Sequence, residues 1–176
     1  MSIVHHTRTA SACLRLLAAG SVLAAGIVLA PSGAQAATAT DTMTVTATVQ
    51  SACILTANPL AFGNYNPTSS ANVDASTTVL VTCTQGTAYN VGLGAGAGSG
   101  ATTTTRKLTS SGHTLNYTLY QDASRSINWG NTVATDTVSA TAGLTATTHT
   151  VYGRIAGSQN TTAGSYTDSV TVTVTY

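Results

Sequence analysis

The side chains best suited to acid–base, nucleophilic or metal chemistry are sparse in this 176-residue sequence. Beyond residue 36 the histidines are His113 and His149, the cysteines are Cys53 and Cys83, and every acidic residue is an aspartate. Neither histidine lies at ligand spacing from another His, Cys or carboxylate, so no metal site is expected. No Gly-x-Ser-x-Gly elbow surrounds a serine, and with no glutamate only scattered aspartates remain for proton transfer. Asp41, Asp74, Asp122, Asp136 and Asp168 also lack the spacing of a calcium loop. The run Gly94–Gly100 has the glycines of a phosphate loop, but no Gly-Lys-Ser/Thr follows, and it reads as a linker between strands. Trp129 with Tyr117, Tyr120 and Tyr152 could form a sugar-stacking platform; aromatics on strands more often fill a core, and the core reading is preferred. The chemistry therefore points away from an enzyme and implies no cofactor.

Charge excludes another class. The formal net charge is +1, and beyond residue 36 the basic residues are the dispersed Arg106, Lys107, Arg125 and Arg154. Nucleic acids and anionic membranes need concentrated Lys and Arg, so nucleic acid is not an expected partner. Residues 1–36 read as a secretory signal: Arg8 and Arg15, an apolar run from Leu16 to Ala30, then Ala34-Gln35-Ala36 as a small-x-small site, with cleavage expected after Ala36. About 15 apolar residues fall short of the roughly 20 that span a bilayer. Cys13 would leave with the signal. The remaining even pair, Cys53 and Cys83, then reads as one disulfide in an oxidising compartment.

What remains, residues 37–176, has the size of one domain. It is rich in Thr and Val, β-branched residues that suit a pleated, half-buried surface, and no stretch shows a helical period. "TDTMTVTATV", Thr40–Val49, puts Met43, Val45, Ala47 and Val49 on one face and threonines on the other. Further strands are expected at Cys53–Leu55, Val73–Cys83, Ala88–Leu93, Leu115–Gln121, Ile127–Gly130, Val133–Ala140 and Thr148–Ile155, with a flexible loop at Gly94–Thr105. The last strand has Val170, Val172, Val174 and Tyr176 on one face and threonines on the other. Seven or eight short strands between turn residues suggest a sandwich of antiparallel sheets. From Ser169 onward the final strand carries no Lys, Pro or other device that blunts an exposed edge, so something else should cover it.

The segments "SACIL", "FGNYNP", "VTCTQGTAYNVGLGAG", "LNYTLYQDASRSINWGN", "TVYGRIAGSQNTTAGSY" and "TDSVTVTVTY" follow one another in order along the chain. Together they resemble the spore coat protein U domain family, which includes the pilins of archaic chaperone-usher pili. The resemblance implies an all-β fold: an incomplete immunoglobulin-like antiparallel sandwich over residues 53–176, completed by donor strand exchange, with residues 37–52 as the donor segment. It implies that Cys53 and Cys83 take the places of the family's disulfide. Met43, Val45, Ala47 and Val49 would plug a neighbour's groove, while Val170, Val172, Val174 and Tyr176 would line this subunit's own groove and face a chaperone. The implied partners are other pilin subunits in a head-to-tail polymer, a periplasmic chaperone and an outer-membrane usher. The resulting product would be an extracellular fibre on the cell surface, serving adhesion or biofilm formation. Two alternatives remain open: a spore coat or extracellular matrix structural protein, and a secreted carbohydrate- or surface-binding β-sandwich module. It also stays open that Thr40–Val49 pairs within its own subunit.

Overall fold

The computed structural model describes residues 35–176; the signal reading falls almost wholly on residues 1–34, outside the described residues. The chain divides into two units, Met1–Val45 and Thr46–Tyr176. In the first, the described residues form no strand or helix and are exposed. In the second, residues 46–52 likewise form no strand, and eight strands follow.

They are β1 (Cys53–Ala57), β2 (Val73–Cys83), β3 (Ala88–Leu93), β4 (Arg106–Ser110), β5 (His113–Tyr120), β6 (Val138–Thr141), β7 (Thr147–Ile155) and β8 (Val172–Thr175). One sheet has the order β1-β2-β7-β5-β4 and the other β6-β3-β8, with every pairing antiparallel. No helix occurs among the described residues.

Period-2 alternation explains how the sheets stack. In β2, Val79 and Val81 are fully buried while Ser76 and Thr82 are exposed. Across the ladder the pairs Val79↔His149 and Thr77↔Val151 put the facing residues of β7 on the same side. Val91 and Leu93 from β3, Leu115, Tyr117 and Leu119 from β5, and Val151 and Ile155 from β7 meet Trp129 in a single core. The result is an all-β, immunoglobulin-like sandwich of two antiparallel sheets.

Four segments depart from the sequence reading. Thr40–Val49, expected as a strand, forms none: its alternating side chains are exposed and no ladder among the described residues supplies its backbone with a partner. β4 was not expected, because its sequence, "RKLTS", opens on two cations. It forms as half of a hairpin whose turn, Ser111 at φ 45° and Gly112 at φ 84°, has the doubly left-handed backbone of a type I′ turn. Ile127–Gly130 is a return rather than a full strand: it touches β5 through a single bridge, Tyr120↔Asn128, and the Trp129 amide donates to the Leu119 carbonyl at 2.9 Å. Strand structure in Val133–Ala140 starts only at Val138; before it, Thr135 and Asp136 amides turn back onto the Thr132 carbonyl.

Candidate functional site

Among the described residues β8 is an edge strand with one partner, β3, and its register is Leu93↔Val172 and Val91↔Val174. The Gly94 amide donates to the Thr171 carbonyl at 2.9 Å. In an antiparallel ladder successive residues direct their backbone groups to opposite sides, so Thr171, Thr173 and Thr175 bond towards β3. The amides and carbonyls of Val172 and Val174 therefore point to the open side. Among the described residues β1 is likewise paired only through β2. Backbone groups left unpaired against an apolar surface are costly and call for a partner strand.

The side chains along this edge line a groove of about 360 Å³ that opens into the core between the sheets. Val170 and Val172 form one side and Ala57 to Leu60 the other, with Leu93, Tyr117, Leu119 and Val151 at the base. A second hollow of about 710 Å³ shares Leu60, Phe62 and Leu108 with the first and continues past Leu115 and Ile155 to Tyr166. Leu60 and Phe62 are seated on the backbone of β7: a Cβ at Gly153 would meet both at 2.7 Å.

Two polar devices hold the groove in shape. Asp168, on its wall, accepts from the Tyr117 hydroxyl and the Ala97 amide, each at 2.7 Å, and from its neighbour Ser169. Burial, reinforced by that bond to Asp168, pushes the Tyr117 phenol well above its ordinary range, so it stays a neutral donor. Arg106 is wholly buried and donates to the carbonyls of Leu93, Gly94, Thr103 and Trp129 at 2.7–2.8 Å. Burial lowers its pKa, and the carbonyl cage replaces the lost water. Together with Lys107, whose Nζ donates to the Ser99 carbonyl at 3.0 Å, Arg106 holds the Gly/Thr-rich segment that sequence alone suggested was flexible. These bonds tie the walls of the groove to the core and to the Gly/Thr-rich segment.

Each residue singled out in the sequence can now be placed. Cys53 and Cys83 are bonded, joining β1 to β2 at paired register positions. Val170, Val172 and Val174 pack against the core from β8 and the residues leading into it, and Val170 and Val172 line the groove. Tyr176 is elsewhere: 60% exposed, it borders a shallow hollow with Ala88, Tyr89, Ala140 and Thr141 at the opposite end of the strand from Val170. Met43, Val45 and Val49 are 85%, 79% and 82% exposed, and Ala47 is also exposed. Such large apolar side chains on an unpaired segment are the converse of an open apolar groove.

The groups weighed for chemistry do not converge. Trp129 and Tyr117 are in the core, and the indole N–H donates to the Val91 carbonyl at 2.8 Å, so a platform on the surface keeps only Tyr120 and Tyr152. His149 Nε2 lies 3.0 Å from the Tyr89 hydroxyl, with the ring edge-on to Tyr89 and Trp129. Burial lowers its pKa. His113 sits at the start of β5, beside the hairpin turn. Among the described residues no cluster of His, Cys, Asp or Glu could hold a metal ion. Asp74 binds Arg154 through two bonds of 2.7 and 2.8 Å, which hold its carboxyl below the usual range, and Arg125 adds a contact at 3.3 Å. Sequence reading missed Leu60, Phe62, Leu108 and Asp168 as groove residues; the i, i+2 spacing of Leu60 and Phe62 was the available signal.

Comparison with known proteins places this geometry. Residues 39–173 match the Spore Coat Protein U domain. "Protein U" of Myxococcus xanthus is 37% identical over 174 residues, covering 90% of this chain and 97% of that protein. A chain in the crystal structure of the CsuC-CsuE chaperone-tip adhesion subunit pre-assembly complex, from archaic chaperone-usher Csu pili of Acinetobacter baumannii, aligns with a TM-score of 0.56 at 24% identity. That alignment covers 73% of this chain and 40% of the solved one, and carries the fold alone. The family match over most of the sequence and a 37% identical relative of nearly the same extent show that this chain belongs to the Spore Coat Protein U domain family.

Proposed function

We propose that this chain is a structural subunit of a secreted surface pilus, polymerising by donor strand exchange after chaperone-usher export and serving adhesion or biofilm formation. One observation carries the reading: an edge strand with outward-facing amides at Val172 and Val174 borders an apolar groove, while Met43, Val45, Ala47 and Val49 of the same sequence alternate on an exposed segment that pairs with no strand among the described residues. Adding a strand would satisfy the backbone of the edge and send alternate side chains into the groove. Burying those four side chains contributes on the order of 5–8 kcal/mol at about 25 cal/mol per Å². Each copy donates one strand and accepts another, so the contact is head to tail and builds a fibre. A periplasmic chaperone would fill the groove before assembly, and an outer-membrane usher would exchange it for the next subunit. Residues 1–36 would direct export and be removed.

Deleting residues 38–50 tests this. The shortened protein should still bind its chaperone but form no fibres; long fibres from it would end the donor-strand reading. The family's name and the 37% identity to "Protein U" favour a second reading, a coat or matrix structural protein. Both readings share the strand exchange and differ in where the polymer is laid down, which immunogold labelling of growing and sporulating cells separates.

A further inference from the structure

Between Val49, the last alternating apolar residue of the donor segment, and Cys53, the first of β1, lie only Gln50, Ser51 and Ala52. Four residue steps of extended chain reach at most roughly 14 Å. This root is also fastened. The Ala52 amide donates to Thr84 Oγ1 at 3.1 Å, that hydroxyl donates to the Gln50 carbonyl at 3.2 Å, and the Thr84 amide donates to the Ala52 carbonyl at 2.9 Å. The Cys53–Cys83 disulfide is the next rung.

The Thr84 turn is joined in its turn to the loop between β6 and β7. The Gly86 amide donates to the Ala142 carbonyl, and the Ala142 amide to the Thr87 carbonyl, both at 2.9 Å. Two residues on, Leu144 is 84% exposed, a large apolar side chain on a loop that presents little else to solvent but Thr, Ala and Gly. Tyr176 lies at the same end of the three-stranded sheet, beside Ala88 and Thr141.

A neighbour that grips the donor segment as far as Val49 is therefore held within a few residues of this end of the domain. Resting on the strand-donation reading, we propose that this end is a second, body-to-body interface between successive copies. Leu144 is its apolar contact against the rim of the next copy's groove, and the Thr84 hydroxyl fixes the direction in which the donor segment leaves. Strand exchange alone joins copies by a tether; the fastened root and Leu144 make the joint stiff.

The test compares amide exchange of residues 142–147 in two states of the full chain. The first is the assembled fibre. The second is the Val45→Asp variant, which accepts a strand but cannot donate one, with its groove filled by a synthetic peptide of residues 38–50. Exchange in the fibre should be at least tenfold slower, and fibres of Leu144→Asp should have a persistence length at least halved in electron micrographs. Equal exchange in the two states, or unchanged stiffness in Leu144→Asp fibres, overturns the body contact while leaving strand exchange intact. If the peptide does not enter the groove and the unaltered chain makes no fibres, the strand-donation reading falls and this interface with it.

Discussion

Val45 offers a quantitative test of alternation in the donor segment. It is 79% exposed, and in a neighbour's groove it would be buried among residues such as Leu93, Leu119 and Val172. Val45→Ala removes two methyl groups, worth about 0.8 kcal/mol each on burial, for a loss of about 1.6 kcal/mol before any cavity cost. At 1.4 kcal/mol per tenfold, binding weakens about 15-fold, and more if the groove cannot collapse around the gap. Thr44, one residue away, projects to the other face and stays in water, so Thr44→Ala should change binding by less than about 0.5 kcal/mol, or roughly twofold. The assay is fluorescence anisotropy with labelled peptides of residues 38–50 titrated against protein lacking that segment. Equal weakening by the two substitutions, or less than about threefold weakening by Val45→Ala, would refute the one-faced insertion.

Three further outcomes follow from the interior. Arg106→Met should cost more than about 3 kcal/mol in urea unfolding, because it takes the donor from two buried carbonyls, Leu93 and Trp129, and from two part-buried ones, Gly94 and Thr103; Arg106→Lys, with three donors, should recover part of it. Reducing the Cys53–Cys83 bond, which spans 30 residues, should lower stability by roughly 3–4 kcal/mol in the chain-entropy model, measured as the shift in unfolding midpoint with reductant. Burial lowers the His149 pKa below its ordinary 6.5. The unfolded chain then takes up that proton first as pH falls, so the stabilisation is whole above about pH 6.5 and is lost progressively below it, towards the folded value. Melting temperature should drop as pH falls below about 6.5, and His149→Phe, keeping a ring against Tyr89 and Trp129, should remove that slope.

What could be read in advance follows from how local each signal is. Val73–Cys83 and Ala88–Leu93 appear with the expected bounds because their alternation is uninterrupted and both sheets use it. β4 was hidden because Arg106 satisfies its guanidinium with carbonyls distant in sequence, Leu93 and Trp129 among them, and no local pattern announces such a cage. The Gly/Thr segment is similar: its composition suggests freedom, while its order comes from Arg106 and Lys107 folding back from just past its end and from Asp168, distant in sequence. For the groove, the alternation of Val170, Val172 and Val174 showed an apolar strand face. The opposing wall at Leu60 and Phe62 lies in a turn-rich stretch without strand period, and only the close approach at Gly153 makes it part of the site. Tyr176 shares the parity of the groove valines but lies past the last bonded pair, Asn90↔Thr175, where the apolar face has run out.

Hydrogen exchange at the amides of Val172 and Val174 tests the central claim most directly. Both point to the unpaired side of β8. In protein lacking residues 38–50 they should exchange as exposed amides, while the Thr173 amide, directed at β3, is protected. Adding the peptide of residues 38–50 should slow Val172 and Val174 at least a hundredfold and leave Thr173 little changed. If Val172 and Val174 are already protected without the peptide, or stay unprotected with it, the edge is not an open acceptor and the account is wrong.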